Sequence, residues 1–260
     1  MDERTDQLAD LAREVATDWG LQLGERFGSG HSFIAAVGTD AILKVVRPDI
    51  PAYDHEPDAL ALWNGDHAVR LLRHDRPRRA LLLERARPGD DLSGVPEEDA
   101  IRVAIDVGKA LWRPVPENSP FRNVVDLSRG WLAEVEDQDP ELVRIARTVL
   151  DGIALRTPRL VHGDFHHHNI LRRGDGWAAM DPQPAIGEPE FDVPTLLWNP
   201  VGTTPTKERT SRWLSAFADA GLDRDRMRAW AIVRGITLCL PSRPGRPLHA
   251  PQLMVARSLL

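Results

Sequence analysis

The 260-residue chain is 42% hydrophobic and 28% charged, the balance of a soluble globular protein, and is long enough for one large domain or two lobes sharing a cleft. Its 33 Lys+Arg against 39 Asp+Glu give a formal net charge of −6, which argues against a general nucleic-acid binder presenting a basic face. No apolar run approaches the ~20 residues that cross a bilayer, and the charged opening stretch lacks the apolar core of a signal peptide. The single cysteine, Cys239, can form no internal disulfide. A cytoplasmic, reducing location is therefore expected, with no membrane or nucleic-acid partner.

From Thr5 to Trp19, apolar residues at Leu8, Leu11, Ala12, Val15 and Trp19 recur at spacings of three and four, which predicts an amphipathic helix. Leu21 to Val46 is β-rich. Within it Ser32–Val37 and Ala41–Val46 flank Gly38-Thr39-Asp40, the pattern of a hairpin. Pro51 to Trp63 reads as helical, and Leu81-Leu82-Leu83 as a short apolar strand closed by Pro88-Gly89. Helical patterns follow at Glu97–Trp112, Val125–Val135 and Pro140–Ile153. A β-rich island runs from Arg159 to Met180, and helices resume at Thr206–Ala220 and Asp223–Leu240. The order predicts a small β-rich N-terminal lobe over residues 1–86, a hinge near 84–88 and a larger helical lobe over 87–260, with a ligand cleft where two such lobes meet.

The run His162-Gly163-Asp164-Phe165-His166-His167-His168-Asn169-Ile170-Leu171, followed by Met180-Asp181-Pro182, carries the chemistry. An Asp, an Asn five residues on and a second Asp after the next apolar strand suit phosphoryl transfer. That reaction needs a carboxylate to orient and deprotonate a hydroxyl, and hard oxygens to hold Mg²⁺ on phosphates. Asp164 suits the first role, and Asn169 and Asp181 the second. Gly174-Asp175-Gly176 between them reads as a hairpin turn. The four histidines invite a zinc reading, but no second Cys or His cluster at ligand spacing accompanies them. Cys239, in an apolar run, reads as a core residue, as do Trp198, Trp213 and Trp230 on helical faces.

This run resembles the catalytic loop and metal-binding segment of the aminoglycoside phosphotransferases, relatives of the protein kinases. The residues at 162–171, Met180-Asp181-Pro182-Gln183-Pro184, Gly187–Asp192 and Leu196-Leu197-Trp198-Asn199 are similar to the branch of streptomycin 6-phosphotransferases and hydroxyurea phosphotransferases. The resemblance implies an α+β, two-lobed protein-kinase-like fold using ATP and Mg²⁺, and transfer of the γ-phosphate to a hydroxyl of a small-molecule acceptor. It implies Asp164 as catalytic base, Asn169 and Asp181 as magnesium ligands, and Asp192 as the brace of the catalytic loop. It further implies Lys44 as the lysine on the ATP phosphates, Glu56 as its ion-pair partner, and Glu84 and Ala86 as the hinge whose backbone holds adenine. Gly28 and Gly30 stand where a phosphate-covering loop belongs, although position 33 is Phe and a full G-x-G-x-x-G is absent. His168 stands where a small residue is expected, and its imidazole would crowd or contact the phosphates.

The acceptor expected first is a streptomycin-like aminoglycoside, for which Glu188, Glu190 and the acidic region of Asp219, Asp223 and Asp225 offer negative charge. The alternatives are another small metabolite, such as a sugar, hydroxyurea or a natural product, and a kinase-like module that binds nucleotide without transferring phosphate. Oligomeric state is not legible in the residues.

Overall fold

In a computed structural model, which describes residues 3–50, 54–240 and 250–260, the chain divides into two compact units. The first comprises residues 1–91 together with 171–183, and the second residues 92–170 together with 184–260. No helix among the described residues is long and apolar enough to cross a membrane.

The first unit is built on an antiparallel five-stranded sheet. Its strands are β1 (Leu23–Phe27), β2 (Ser32–Val37), β3 (Ala41–Val46), β4 (Leu71–Asp75) and β5 (Ala80–Glu84), in the order β1-β2-β3-β5-β4. The hairpin expected from Gly38-Thr39-Asp40 forms, with Val37 opposite Ala41. Helix α1 (Glu3–Trp19) buries Leu8, Ala9, Ala12, Val15 and Ala16 against Phe33, Ala35, Leu43 and Val45 of the sheet. Each fully buried Val, Leu or Phe in such a layer stabilises by about 1.5–3 kcal/mol, so the three-and-four spacing legible in the sequence becomes the packing of this unit. Helix α2 (Glu56–Trp63) is shorter than the helical stretch read from position 51, whose residues 51–53 lie outside the described residues. β4 was not anticipated, because its Leu-Leu-Arg-His-Asp sequence lacks alternation and it sits at the sheet edge.

β6 (Pro88–Asp91), β8 (Ile170–Arg173) and β9 (Gly176–Ala179) form a second sheet in the order β6-β8-β9. Gly89 adopts φ +88°, and a side chain there would meet the Ala86 carbonyl oxygen at 2.9 Å, so only glycine lets the chain turn back toward β8. The hairpin read at Gly174-Asp175-Gly176 is the β8–β9 turn, with Gly174 at φ +57°.

The second unit is mainly helical: α3 (Glu97–Leu111), α4 (Val124–Glu134), α5 (Pro140–Asp151), the short α6 (Pro194–Leu197), α7 (Lys207–Asp219), α8 (Arg224–Cys239) and α9 (Ala250–Leu259). β7 (Arg159–Val161) pairs antiparallel with β10 (Ala185–Gly187). Trp213, Trp230, Phe165, Phe191 and Phe217 are fully buried at its centre, and Cys239 is a buried core thiol. Helix starts are marked by short polar residues: Asn123, Asp139, Thr206 and Asp223 each accept a backbone N–H of the first turn. At α8 the Asp223 carboxylate accepts from both Asp225 and Arg226 N–H at 3.0 and 3.1 Å. These backbone donors, helped by Arg156, hold its carboxyl below the ordinary aspartate value. A depressed carboxyl contributes stability that is present above the unfolded pKa and lost as pH falls through the folded one. Asp223→Ala is therefore expected to lower stability by about 1 kcal/mol, or roughly 2–4 °C in Tm, with the deficit shrinking in acid. Thermal melts of both proteins at neutral and acidic pH check this.

Candidate active site

In the first unit a mostly apolar cavity of about 310 Å³ collects most of the residues expected to handle nucleotide, Gly28, Lys44, Glu56, Glu84 and Ala86, and with them Asp181, expected as a magnesium ligand. Lys44 is placed by the centre of β3, where it lies opposite Ile34 of β2 and Leu81 of β5. It is 4% exposed, and Glu56, at the first turn of α2, is fully buried. The Lys44 ammonium donates to both Glu56 carboxylate oxygens at 2.7 and 2.6 Å, and to Oδ1 of Asp181. Burial by itself would lower the Lys44 pKa, but Glu56 and Asp181 outweigh it and hold the ammonium above its ordinary value. The lysine therefore stays a fixed positive charge at the cavity wall. Asp181 follows β9 with φ +58°, a left-handed conformation that Asp tolerates better than most residues and that is met mainly at functional turns.

Two further features of this cavity suit a planar, polar-edged ligand. Ile42, Leu83 and Met180 supply an apolar lining. The Ala86 backbone N–H makes no hydrogen bond among the described residues, although its residue is 8% exposed. The Glu84 side chain is engaged, accepting from Arg70 N–H at 3.1 Å and from Arg173 at 3.3 Å. Gly30 is not brought to this cavity. It lines a neighbouring one with Arg26, Phe33 and Arg47, while Gly28 lines both.

In the second unit the loop from His162 to Asn169 connects β7 to β8, and its shape is set by buried polar groups. Asp192 is fully buried, and its two oxygens accept from His162 N–H at 2.8 Å, Gly163 N–H at 2.8 Å and the Trp112 indole at 2.9 Å. That is the bracing geometry expected of it. Gly163 takes φ +81°, where a side chain would be strained. Asp164 is partly buried, with 29% of its side chain exposed. Asn169 donates to its backbone carbonyl at 2.9 Å and to its carboxylate at 3.3 Å, and His166 Nε2 lies 3.5 Å from the same carboxylate. Burial alone would push the Asp164 carboxyl up. The His166 hydrogen bond, with the charges of His162 and Arg234, reverses that and leaves it below the ordinary aspartate value. An acceptor-only carboxylate at neutral pH, partly open to solvent, is what a hydroxyl proton requires.

Within its own unit, each residue expected to hold Mg²⁺ keeps an oxygen of the kind that ion prefers. With the Asn169 amide nitrogen committed to Asp164, its Oδ1 accepts no hydrogen bond among the described residues, and Asp181 keeps Oδ2 beside the oxygen given to Lys44. Hard oxygens of this kind are the ligands that ion prefers.

The histidine cluster does not converge on one point. His162 accepts from Asp164 N–H at 3.3 Å, His167 is buried edge-on against Trp213 at 5.3 Å, and His168 Nε2 accepts from Val201 N–H at 3.3 Å. The Val201 contact gives His168 a place in the fold that the sequence did not reveal. Three of the acidic residues considered for a cationic acceptor, Glu188, Glu190 and Asp223, are engaged within the fold. Glu188 is 3% exposed, forked onto Arg226 through two contacts of 2.8 Å and bonded to the Trp230 indole at 2.6 Å. Glu190 accepts from Asp223 N–H at 2.9 Å, and Asp223 caps α8. The sequence reading missed Trp112 and Arg234. Trp112 gives no polar signal, but Arg234 interrupts the apolar run from Trp230 to Leu240, and a charge so placed is rarely idle.

Residues 21–239 match the family model described as aminoglycoside/hydroxyurea antibiotic resistance kinase. Among curated relatives, the hydroxyurea phosphotransferase of Kitasatospora aureofaciens is 32% identical over 255 residues, covering 92% of this chain and 74% of that one. The streptomycin 6-kinase of Streptomyces griseus is 29% identical, covering 88% and 83%. Among solved structures, the choline kinase LicA of Streptococcus pneumoniae in complex with AMP superposes with a TM-score of 0.71 at 11% identity, covering 96% of this chain and 97% of that one. The chain belongs to the aminoglycoside/hydroxyurea antibiotic resistance kinases. It is an ATP-dependent phosphotransferase with the kinase-like fold, a β-sheet N-lobe and a helical C-lobe.

Proposed function

We propose that the chain transfers the γ-phosphate of ATP to a hydroxyl of a small antibiotic-type acceptor, with a streptomycin-like aminoglycoside as the first candidate. The observation that carries the reading is the Lys44–Glu56–Asp181 ion group, buried at Lys44 and Glu56, set in the wall of a mostly apolar cavity with a backbone donor at Ala86 unused among the described residues. The apolar lining takes the adenine ring and the Ala86 N–H its polar edge. Lys44, kept charged, draws the phosphates. Asp164 accepts the acceptor's hydroxyl proton as the oxygen attacks the γ-phosphorus, and ADP departs. Asn169 and Asp181 would supply oxygen ligands for Mg²⁺, which would neutralise phosphate charge when bound.

A second reading, hydroxyurea as acceptor, is favoured by the 32% identity to a hydroxyurea phosphotransferase and by the engagement of Glu188, which leaves one fewer carboxylate for a cation. A coupled ADP-release assay with Mg²⁺-ATP against streptomycin, other aminoglycosides, hydroxyurea and simple sugars separates the two. Asp181→Ala is expected to abolish acceptor-dependent ADP release while keeping wild-type circular dichroism. Silence toward every acceptor together with no nucleotide binding by calorimetry would replace this reading with that of a non-catalytic module.

A further inference from the structure

Helix α8 carries a buried guanidinium that the transfer chemistry just described does not use. Arg234 is 4% exposed in a run of apolar neighbours. It makes no ion pair among the described residues. Instead, one terminal nitrogen donates to the Gly163 carbonyl at 2.7 Å and the other to the Phe191 carbonyl at 2.9 Å. Its plane lies over the Phe191 ring, 4.3 Å from the centroid, and its Nε finds no partner among the described residues. Taking a guanidinium out of water for two neutral carbonyls is costly. The carboxylates whose fields favour it are Asp192 and Asp164.

The two carbonyls belong to the segments that frame Asp164. Gly163 is the residue before it, and Phe191 is the residue before Asp192. Along the same stretch of backbone, Asp192 accepts the N–H groups of His162 and Gly163 at 2.8 Å each. Gly163, held at φ +81°, is thus bonded through its N–H to Asp192 and through its C=O to Arg234. A glycine has few steric limits of its own, so its torsion angles are set by these two partners. The Gly163 carbonyl carbon is bonded directly to the Asp164 nitrogen, so the orientation of that peptide aims the Asp164 side chain.

We propose that Arg234 is a positioning residue for Asp164: with Asp192 it holds Gly163 at both its N–H and its C=O and so fixes the direction of the Asp164 carboxylate. The proposal rests on the reading of Asp164 as the proton acceptor. A planar fork is needed because the two carbonyls lie on different segments. A lysine reaches one of them as a point charge and cannot hold the pair in a fixed plane.

The test compares Arg234→Met, Arg234→Lys and Met227→Ala in the full chain. Met227 is buried on the same helix about two turns away, so its truncation loosens α8 while leaving the Arg234 hydrogen bonds to the loop in place. Each protein is assayed with Mg²⁺-ATP and streptomycin, melted thermally, and followed by hydrogen exchange of the segment around His162 and Gly163. Arg234→Met is expected to lower kcat by about 100-fold, the cost of a misaimed group, with KM for ATP little changed and exchange of the His162 and Gly163 amides accelerated. Arg234→Lys recovers part of kcat. Met227→Ala loses Tm but keeps kcat and loop exchange. Equal loss of kcat in Arg234→Met and Met227→Ala overturns the proposal, as does unchanged loop exchange in Arg234→Met, or accelerated exchange with wild-type kcat. If the wild-type protein turns over no streptomycin, the functional reading for that acceptor falls by itself. The exchange comparison then decides whether Arg234 holds the loop.

Discussion

Asp164→Asn is expected to lower kcat by about 10³-fold and to leave KM for ATP within about twofold of wild type. Asparagine preserves the size of the side chain and one oxygen, so the loop's packing survives, but the amide cannot take up a proton. In the wild-type loop the Asn169 amide donates to this carboxylate, and in the variant an NH₂ group can be turned against that donor. The cavity of the first unit proposed to hold nucleotide contains no part of residue 164, so ATP affinity is not expected to follow kcat. The wild-type pH profile has a definite sign. Because the Asp164 carboxyl is held below the ordinary aspartate value, activity that depends on its charged form persists through neutral pH and is lost only as pH falls below that range. Stopped-time kcat and KM measurements on both proteins, with the wild type taken from pH 4 to 8, read all three expectations. A variant retaining more than a tenth of wild-type kcat would falsify the role of Asp164 as base.

Asp192→Ala is expected to be the most damaging substitution for stability, costing about 3–5 kcal/mol and lowering Tm by roughly 10 °C. Three donors lose their acceptor at once: the His162 and Gly163 N–H groups and the Trp112 indole, the carboxylate itself being fully buried. Unsatisfied buried donors carry their full desolvation cost, and the Arg234 guanidinium loses one of the two carboxylates that favour it. Asp192→Asn keeps one acceptor oxygen but turns an NH₂ group toward the remaining donors, so it should fall between wild type and alanine. Denaturant melts of the three proteins give the order. Near-wild-type stability for Asp192→Ala would mean that the loop does not depend on this brace.

Much of the fold was legible because it rests on local periodicity. The three-and-four spacing of α1, the Gly38-Thr39-Asp40 turn and the apolar β5 all appear where the residues placed them. The elements that escaped have no such period. β4 is polar and at an edge, where it pairs with the β5 strand that follows it, β10 is three residues long and pairs with β7, and α9 follows a proline-rich stretch, so none carries a periodic signal of its own. The candidate site divides in the same way. Asp164, Asn169 and Asp181 stand out because their spacing is short and chemically unusual, and Lys44 and Glu56 because they sit on a strand and the helix after it. Arg234 and Trp112 are 71 and 80 residues from the groups they hold, and no local pattern encodes a partner at that range. Glu188 looked like an exposed acid for the opposite reason. Only the folded chain shows Arg226 and Trp230 closing over it.

The first unit takes residues 171–183 from far down the chain, and this has a consequence for how such genes can be recombined. A crossover near position 91 between two relatives joins Lys44 and Glu56 from one parent to Asp181 from the other, although the three share a single ion group. Chimeras that carry residues 1–91 and 171–183 from the same parent keep that group intact. Those cut once assemble it from two ancestries that were never selected to fit.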